Sequence, residues 1–213
     1  RHRGRPVVVL ASGDPFHYGV GDLLMRHFSP DEMLCLPQAS SFSLAAARLG
    51  WSLQDTALVS VHGRALENVV RHLQPGARIL ALAWDGSTAG RLATLLKERG
   101  LGRSPLVVLE ALGGPAERIH RDLADVAPLN ILALEVVADP GALVVPLAPG
   151  LDDSLFENDG QLTKREVRAV TVSALAPRAG ELLWDIGLGA GSIAIEWLLR
   201  HPSLRAIGIE ADP

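Results

Sequence analysis

The residues best placed to do chemistry form the run Asp185-Ile186-Gly187-Leu188-Gly189-Ala190-Gly191, with Glu210 23 residues after Gly187. Three glycines in five positions allow a strand to turn sharply into a helix, because positive φ and close approach to a ligand both exclude a side chain. Dinucleotide sites favour Gly-x-Gly-x-x-Gly or Ala, with pyrophosphate at the helix N-terminus. Here the sixth position is Ser192 and the third glycine comes one residue early. Asp185 would repel a pyrophosphate, yet it suits the ammonium and sulfonium end of S-adenosylmethionine. Glu210 is placed to accept from both ribose hydroxyls of a nucleoside. The residues thus point to S-adenosylmethionine. A nicotinamide or flavin site and a turn used only for tight packing are the alternatives.

Such a turn needs a strand before it and a helix and strand after it. Leu182–Ile186 reads as the first strand, Ser192–Arg200 as the helix, and Arg205–Ile209 as the second strand, the segment closing at Asp212. Upstream, Thr163-Lys164-Arg165-Glu166 is a capping-box sequence with Thr163 at the N-cap. Its helix carries Val167, Val170, Ala174 and Leu175 on one side. Earlier still, strand-like runs alternate with helical periodicity, the pattern of α/β architecture. Strands are expected at 7–10, 33–36, 57–61, 78–83, 105–110 and 129–137. Helices are expected around Phe42–Leu49 with Gly50 as stop, around Leu66–Leu73, and over Ser87–Arg99 with Gly100 as stop. From 139 to 160 the pattern breaks into Pro, Gly and acidic residues, which reads as an interdomain linker.

Composition narrows the partners. A net charge of −4 lacks the basic excess of a nucleic-acid binder. The single cysteine, Cys35, sits in an apolar run and reads as a buried hydrophobe. Seven histidines form no i, i+4 pair and no HExxH pattern, so no metal is expected. The apolar region 129–151 is broken by Glu135, Asp139 and prolines, so no membrane span is expected. A cytoplasmic location follows as the default. Arg1 precedes the first apolar run by only a few residues and Pro213 follows the last, so the chain reads as an internal fragment.

A second set of features lies in the N-terminal block: Ser12-Gly13-Asp14-Pro15-Phe16-His17-Tyr18-Gly19, then Leu36-Pro37-Gln38-Ala39-Ser40-Ser41, then Val61-His62-Gly63-Arg64. Singly, each has an ordinary explanation. Gly-Asp-Pro is a common turn, Ser40 can cap the following helix, and a lone histidine is most often structural. Their order and spacing resemble the tetrapyrrole methylase family, in which a Gly-Asp-Pro loop and a Pro-Gly-x-Ser-like segment line a cleft between two α/β lobes. His62-Gly63-Arg64 and Leu112-Gly113-Gly114-Pro115-Ala116-Glu117-Arg118 resemble its late-precorrin branch. Gly160 to Arg168, with the glycine turn, is similar to that branch's decarboxylating class I partner.

The resemblance implies a two-lobed α/β tetrapyrrole methylase-like unit over 1–142 with its N-terminal part missing. A linker over 143–160 and the start of a Rossmann-like class I methyltransferase domain over 161–213 complete the chain. It implies a first S-adenosylmethionine site at Gly13, Asp14, Phe16, Ser40 and Ser41. The second lies at Thr163, Gly187, Leu188, Gly189, Ala190, Gly191 and Glu210. Gln38 stands where the family often has glycine. The implied activity, in cobalamin biosynthesis, is methylation of a precorrin at carbons 5 and 15 with decarboxylation of the carbon-12 acetate. A homo-oligomer and an anionic substrate are implied too. Arg64, Lys164 and Arg168 are candidates to hold its carboxylates, and a solvated helix face is the competing reading for Lys164 and Arg168.

Overall fold

The computed structural model describes residues 4–211; Arg1, Asp212 and Pro213, named above, lie outside the described residues. The chain divides into two compact units, Arg1–Val144 and Val145–Pro213.

The first unit is built on a five-stranded mixed sheet. Its strands are β1 (Thr56–Ser60), β2 (Arg78–Leu82), β3 (Leu106–Glu110), β4 (Arg118–His120) and β5 (Asn130–Glu135). They lie in the order β1-β2-β5-β3-β4, with β1 and β2 parallel and the other pairs antiparallel. Alternation along the strands sends side chains to opposite faces. Ile79 and Ala81 of β2, Val108 of β3 and Leu132 and Leu134 of β5 pack on one side. Leu80, Leu109, Ile131 and Ala133 pack on the other. Two helices after the short α1 (Gly21–Leu24) matter most to this core: α2 (Ser41–Leu49) and α3 (Thr88–Glu98). Phe42, Ala45 and Ala46 of α2 cover the second face, and Ala89, Leu92 and Leu96 of α3 cover the first.

The helix punctuation works as the sequence implies. Ser40 Oγ accepts from the Ser43 N–H at 3.2 Å, capping α2. Gly50 ends it at φ 66, a left-handed position that glycine occupies without strain.

Three expectations for this unit need correction. Residues 7–10 and 33–36 are not strands: Leu10 is 93% exposed and Leu34 85%, and neither run pairs with a described strand. An apolar run becomes a strand only when a neighbour supplies its ladder. Leu66–His72 is a 3₁₀ helix, in which Leu66 and Val69, three apart, share the buried side. The short strand β4 was not expected; only its first residue, Arg118, lies in a stretch read as a motif.

The second unit contains α4 (Arg165–Leu175), β6 (Leu182–Ile186), α5 (Ser192–Leu198) and β7 (Arg205–Ile209). Strands β6 and β7 pair in parallel, with Asp185 opposite Gly208 and Ile186 opposite Ile209. The strand–turn–helix–strand order is the one anticipated. The start of α4 differs: Lys164 is the N-cap, without a side-chain capping bond, and the Thr163 box does not form. The Thr163 carbonyl instead accepts from Arg168 Nη1. The stripe differs too. Val167 and Val170 stay exposed, whereas Arg168 and Val172, one turn apart, are buried.

Arg168 can be buried because its charge is met on several sides. Its Nε donates to Glu196 Oε1 at 2.9 Å and its Nη1 to Asp153 Oδ1 at 2.7 Å. Its Nη2 donates to the Leu151 carbonyl, and the guanidinium carbon lies 4.5 Å from the Phe156 ring centroid. Glu196, itself fully buried, also accepts the N–H groups of Gly150 (2.6 Å) and Leu151 (2.9 Å). Part of the stretch read as a linker is thereby fastened to α5.

Candidate functional site

In the first unit, the loop from Gly13 to Gly21 does the positioning. Asp14 Oδ1 accepts from the Phe16 N–H at 2.9 Å and the Asp14 carbonyl from the His17 N–H at 3.2 Å, which turns the chain immediately after Pro15. The Gly21 N–H donates to the Pro15 carbonyl at 2.7 Å. A Cβ at Gly19 or at Gly21 would lie 2.6 Å from that carbonyl oxygen, so the winding requires glycine at both positions. Gly13 adopts φ 67, and its carbonyl accepts from Gln38 N–H at 3.3 Å. This bond brings the Gly-Asp-Pro loop beside the segment that leads to Ser40. The backbone of Gln38 makes this bridge.

Two cavities open here. A smaller one, about 410 Å³, is lined by Gly13, Asp14, Ser40 and Ser41. Four of the five residues expected at the first cofactor site are thus gathered together. The fifth, Phe16, lines a larger cavity of about 910 Å³ with Arg64, His62, Trp84 and Asn130. His17, Tyr18, Gly19 and Leu82 line both. Ser40 serves as helix cap as well as cavity wall.

The larger cavity concentrates ring side chains in a chain that is only 4% aromatic, since Phe16, Tyr18 and Trp84 line it with two histidines. Asn130 fixes part of its wall: its amide nitrogen donates to the carbonyls of Ala127 at 2.8 Å and Asp85 at 3.3 Å. Sequence reasoning missed Trp84 and Asn130. The available signal was position, because Trp84 follows the carboxyl end of β2, where α/β sheets place ligands.

In the second unit, Gly187, Gly189 and Gly191 adopt φ of 80, 50 and 67. All three are left-handed, which explains why the run tolerates no side chain there. The amides of Gly187, Leu188, Gly189 and Gly191 are engaged internally. Gly187 and Leu188 donate to the Ile209 carbonyl, and Gly191 donates to Leu188. Gly189 N–H donates to Glu210 Oε2 at 2.7 Å, while Ala211 N–H donates to Oε1 at 2.7 Å. A phosphate cradle needs such amides to point at the ligand; here a carboxylate already takes one of them. Leu188 packs across the turn, its side chain lying where a Cβ on Gly208 would fall. Ala190 completes the run.

Asp185 lies at the carboxyl end of β6. Its Oδ2 is buried without a hydrogen-bond partner, and burial pushes its carboxyl above the ordinary aspartate range, opposed by a backbone bond from Ala194. A buried oxygen of this kind is complementary to a cationic group. The residues present therefore fit the ammonium and sulfonium end of S-adenosylmethionine. Thr163 is exposed, with its carbonyl held by Arg168.

The three candidate cations divide. Arg64 lines the larger cavity. Lys164 is exposed, 3.9 Å from Asp153. Arg168 is fully buried with its donors engaged inside the unit, which corrects its reading as a substrate ligand. Neither the exposed cation nor the solvated face describes it. Among the described residues no cluster of three or more His, Cys, Asp or Glu is arranged to hold a metal, and no helix is long and apolar enough to cross a membrane.

Comparison with known proteins gives the following. Residues 1–127 match the family model for tetrapyrrole (corrin/porphyrin) methylases, and residues 154–213 match that for a precorrin methyltransferase domain. A precorrin-6Y C(5,15)-methyltransferase (decarboxylating) from Sinorhizobium sp is 60% identical over 99% of this chain and 52% of its own length. The enzyme of that name from Mycobacterium tuberculosis (strain CDC 1551 / Oshkosh) is 40% identical over 98% of this chain and 54% of its own. The chain spans about half the length of these curated relatives. The crystal structure of the C-terminal domain of a precorrin-6Y C5,15-methyltransferase from Rhodobacter capsulatus is 37% identical. It covers 32% of this chain and 51% of that one, with a TM-score of 0.28.

Proposed function

We propose, for a chain that belongs to the tetrapyrrole (corrin/porphyrin) methylase family, that its first unit transfers a methyl group from S-adenosylmethionine to carbon 5 of a precorrin. The second unit contributes the start of a domain that methylates carbon 15 and decarboxylates the carbon-12 acetate. The observation that carries this reading is the pair of adjoining cavities with a shared wall. One is lined by Gly13, Asp14, Ser40 and Ser41 for the donor; the other carries ring side chains and Arg64 for a flat, carboxylated acceptor.

When bound, S-adenosylmethionine supplies a methyl carbon that leaves its sulfur, which keeps the bonding pair, and bonds to a nucleophilic macrocycle carbon. The protein's part is alignment across the shared wall, and no enzyme nucleophile is needed. In the decarboxylation, the electron pair of the breaking carbon–carbon bond passes into the conjugated macrocycle as carbon dioxide leaves, so the substrate is its own electron sink.

In the second unit, Asp185 favours a cationic nucleoside over a dinucleotide. The engaged amides of the glycine turn support the same choice. Thr163 remains a candidate for that cofactor and Lys164 for a substrate carboxylate, and a homo-oligomer in the cytoplasm is the proposed setting. Thermal unfolding tests the cofactor. S-adenosylmethionine at a hundredfold excess over its Kd should stabilise the protein by about 2.7 kcal/mol, with NADH giving no shift. Protection by NADH and none by S-adenosylmethionine would contradict the reading.

A further inference from the structure

Tyr18 is the chain's single tyrosine, and it lines both cavities. Its backbone sits at φ 57, a left-handed conformation that a bulky residue rarely adopts. The loop imposes this, since Gly19 and Gly21 on the following turn are pressed against the Pro15 carbonyl. The ring has neighbours on several sides. His17 stacks on it at 5.5 Å with planes 24° apart, and Phe42, buried in the core at 1% exposure, meets it edge-on at 5.8 Å. The Arg64 guanidinium carbon lies 5.7 Å from the ring centroid, within cation–π range. Asp22, a carboxylate on the same cavity, is paired with Arg26 at 3.4 Å.

We propose that Tyr18 is a positioning residue for the acceptor: its ring, braced by Phe42, holds the Arg64 guanidinium at the larger cavity, where it meets a carboxylate of the macrocycle. A long arginine side chain loses considerable rotamer freedom when it binds an anion. Resting on a fixed ring removes part of that loss in advance. The strained backbone of Tyr18 keeps the ring on the wall between donor and acceptor. This inference rests on the assignment of the two cavities to S-adenosylmethionine and precorrin.

A double-mutant cycle tests it, with precorrin-6Y and S-adenosylhomocysteine as calorimetric probes of the chain. Tyr18→Gly removes the ring and relieves the positive φ, so the fold tolerates it; Tyr18→Asn, which also accepts that conformation, is the second variant. Arg64→Ala and Tyr18→Gly should each weaken precorrin-6Y binding about tenfold, and the double variant also by about tenfold, because both remove one interaction. Tyr18→Phe should restore affinity to within about twofold, and Arg64→Ala should leave S-adenosylhomocysteine affinity within about twofold. Losses that multiply to about a hundredfold in the double variant, or wild-type affinity in Tyr18→Gly, would overturn the proposal while leaving the cavity assignment intact. Failure of the wild-type chain to bind either probe would overturn the cavity assignment, and this inference with it.

Discussion

Burial lifts the Asp185 carboxyl above its ordinary range and leaves Oδ2 unpartnered. Because its folded value is the higher one, the ionised side chain destabilises the fold fully above that value, and the penalty shrinks as pH falls through it and is gone below the ordinary value of 3.8. Asp185→Asn should therefore raise the thermal midpoint at pH 7 while weakening S-adenosylmethionine binding about tenfold by calorimetry. Glu110 has the opposite sign. The Arg118 guanidinium at 2.7 Å, opposed by burial and aided by the Ala127 N–H and by His120, holds it at about 2, below its ordinary 4.5. Its contribution to stability is complete above pH 4.5 and is lost as pH falls through about 2. Glu110→Gln should flatten the acid limb of the stability–pH curve and destabilise the neutral protein by ~2 kcal/mol in urea unfolding. At this scale the sequence was legible wherever residue type and chain spacing suffice, as at the glycine turn and Gly13-Asp14. Arg168 was not legible, because its role depends on Glu196, Asp153 and Leu151, which only the folded chain brings to it.

Elements were legible where period and punctuation agree. Helix α2 shows this best, with Ser40 before it, Phe42, Ala45 and Ala46 inside, and Gly50 after it. Strands β2, β3 and β5 were read within a residue or two because their side chains alternate between two covered faces. The runs at 7–10 and 33–36 failed because strand formation is a property of a pair, and apolar composition names only one member. Helix α4 failed in a different way: Val167 and Val170 match a buried stripe, but the Arg168–Glu196 pair turned the helix the other way. That pair sets the second unit's cohesion. Glu196→Gln leaves Arg168 buried without its charge partner and weakens the bonds to Gly150 and Leu151, so urea unfolding should show a loss of ~3 kcal/mol. Lys164→Ala, at an exposed and distant contact, should change stability little.

For the whole molecule, the two units carry two chemically different cradles. The first unit offers a cleft beside a ring-lined cavity; the second offers a glycine turn closed by its own carboxylate. The resemblance of motif order to tetrapyrrole methylases could be seen in the sequence, and the family match over residues 1–127 agrees with it. The gathering of the cavity walls could not, since Tyr18, the Leu82–Trp84 segment and Asn130 come from three separate stretches of chain that only the sheet and its loops bring together. The cavities meet at a shared wall, across which we propose that methyl transfer to carbon 5 takes place. The most direct test incubates the chain with precorrin-6Y, and in parallel with its carbon-15-methylated, decarboxylated derivative, together with S-adenosylmethionine labelled with carbon-13 in its methyl group, then locates the label by mass spectrometry and NMR. A labelled methyl on carbon 5, abolished by Asp14→Ala, is the expected result; label absent from carbon 5 in both incubations, or unaffected by that substitution, would rule this transfer out.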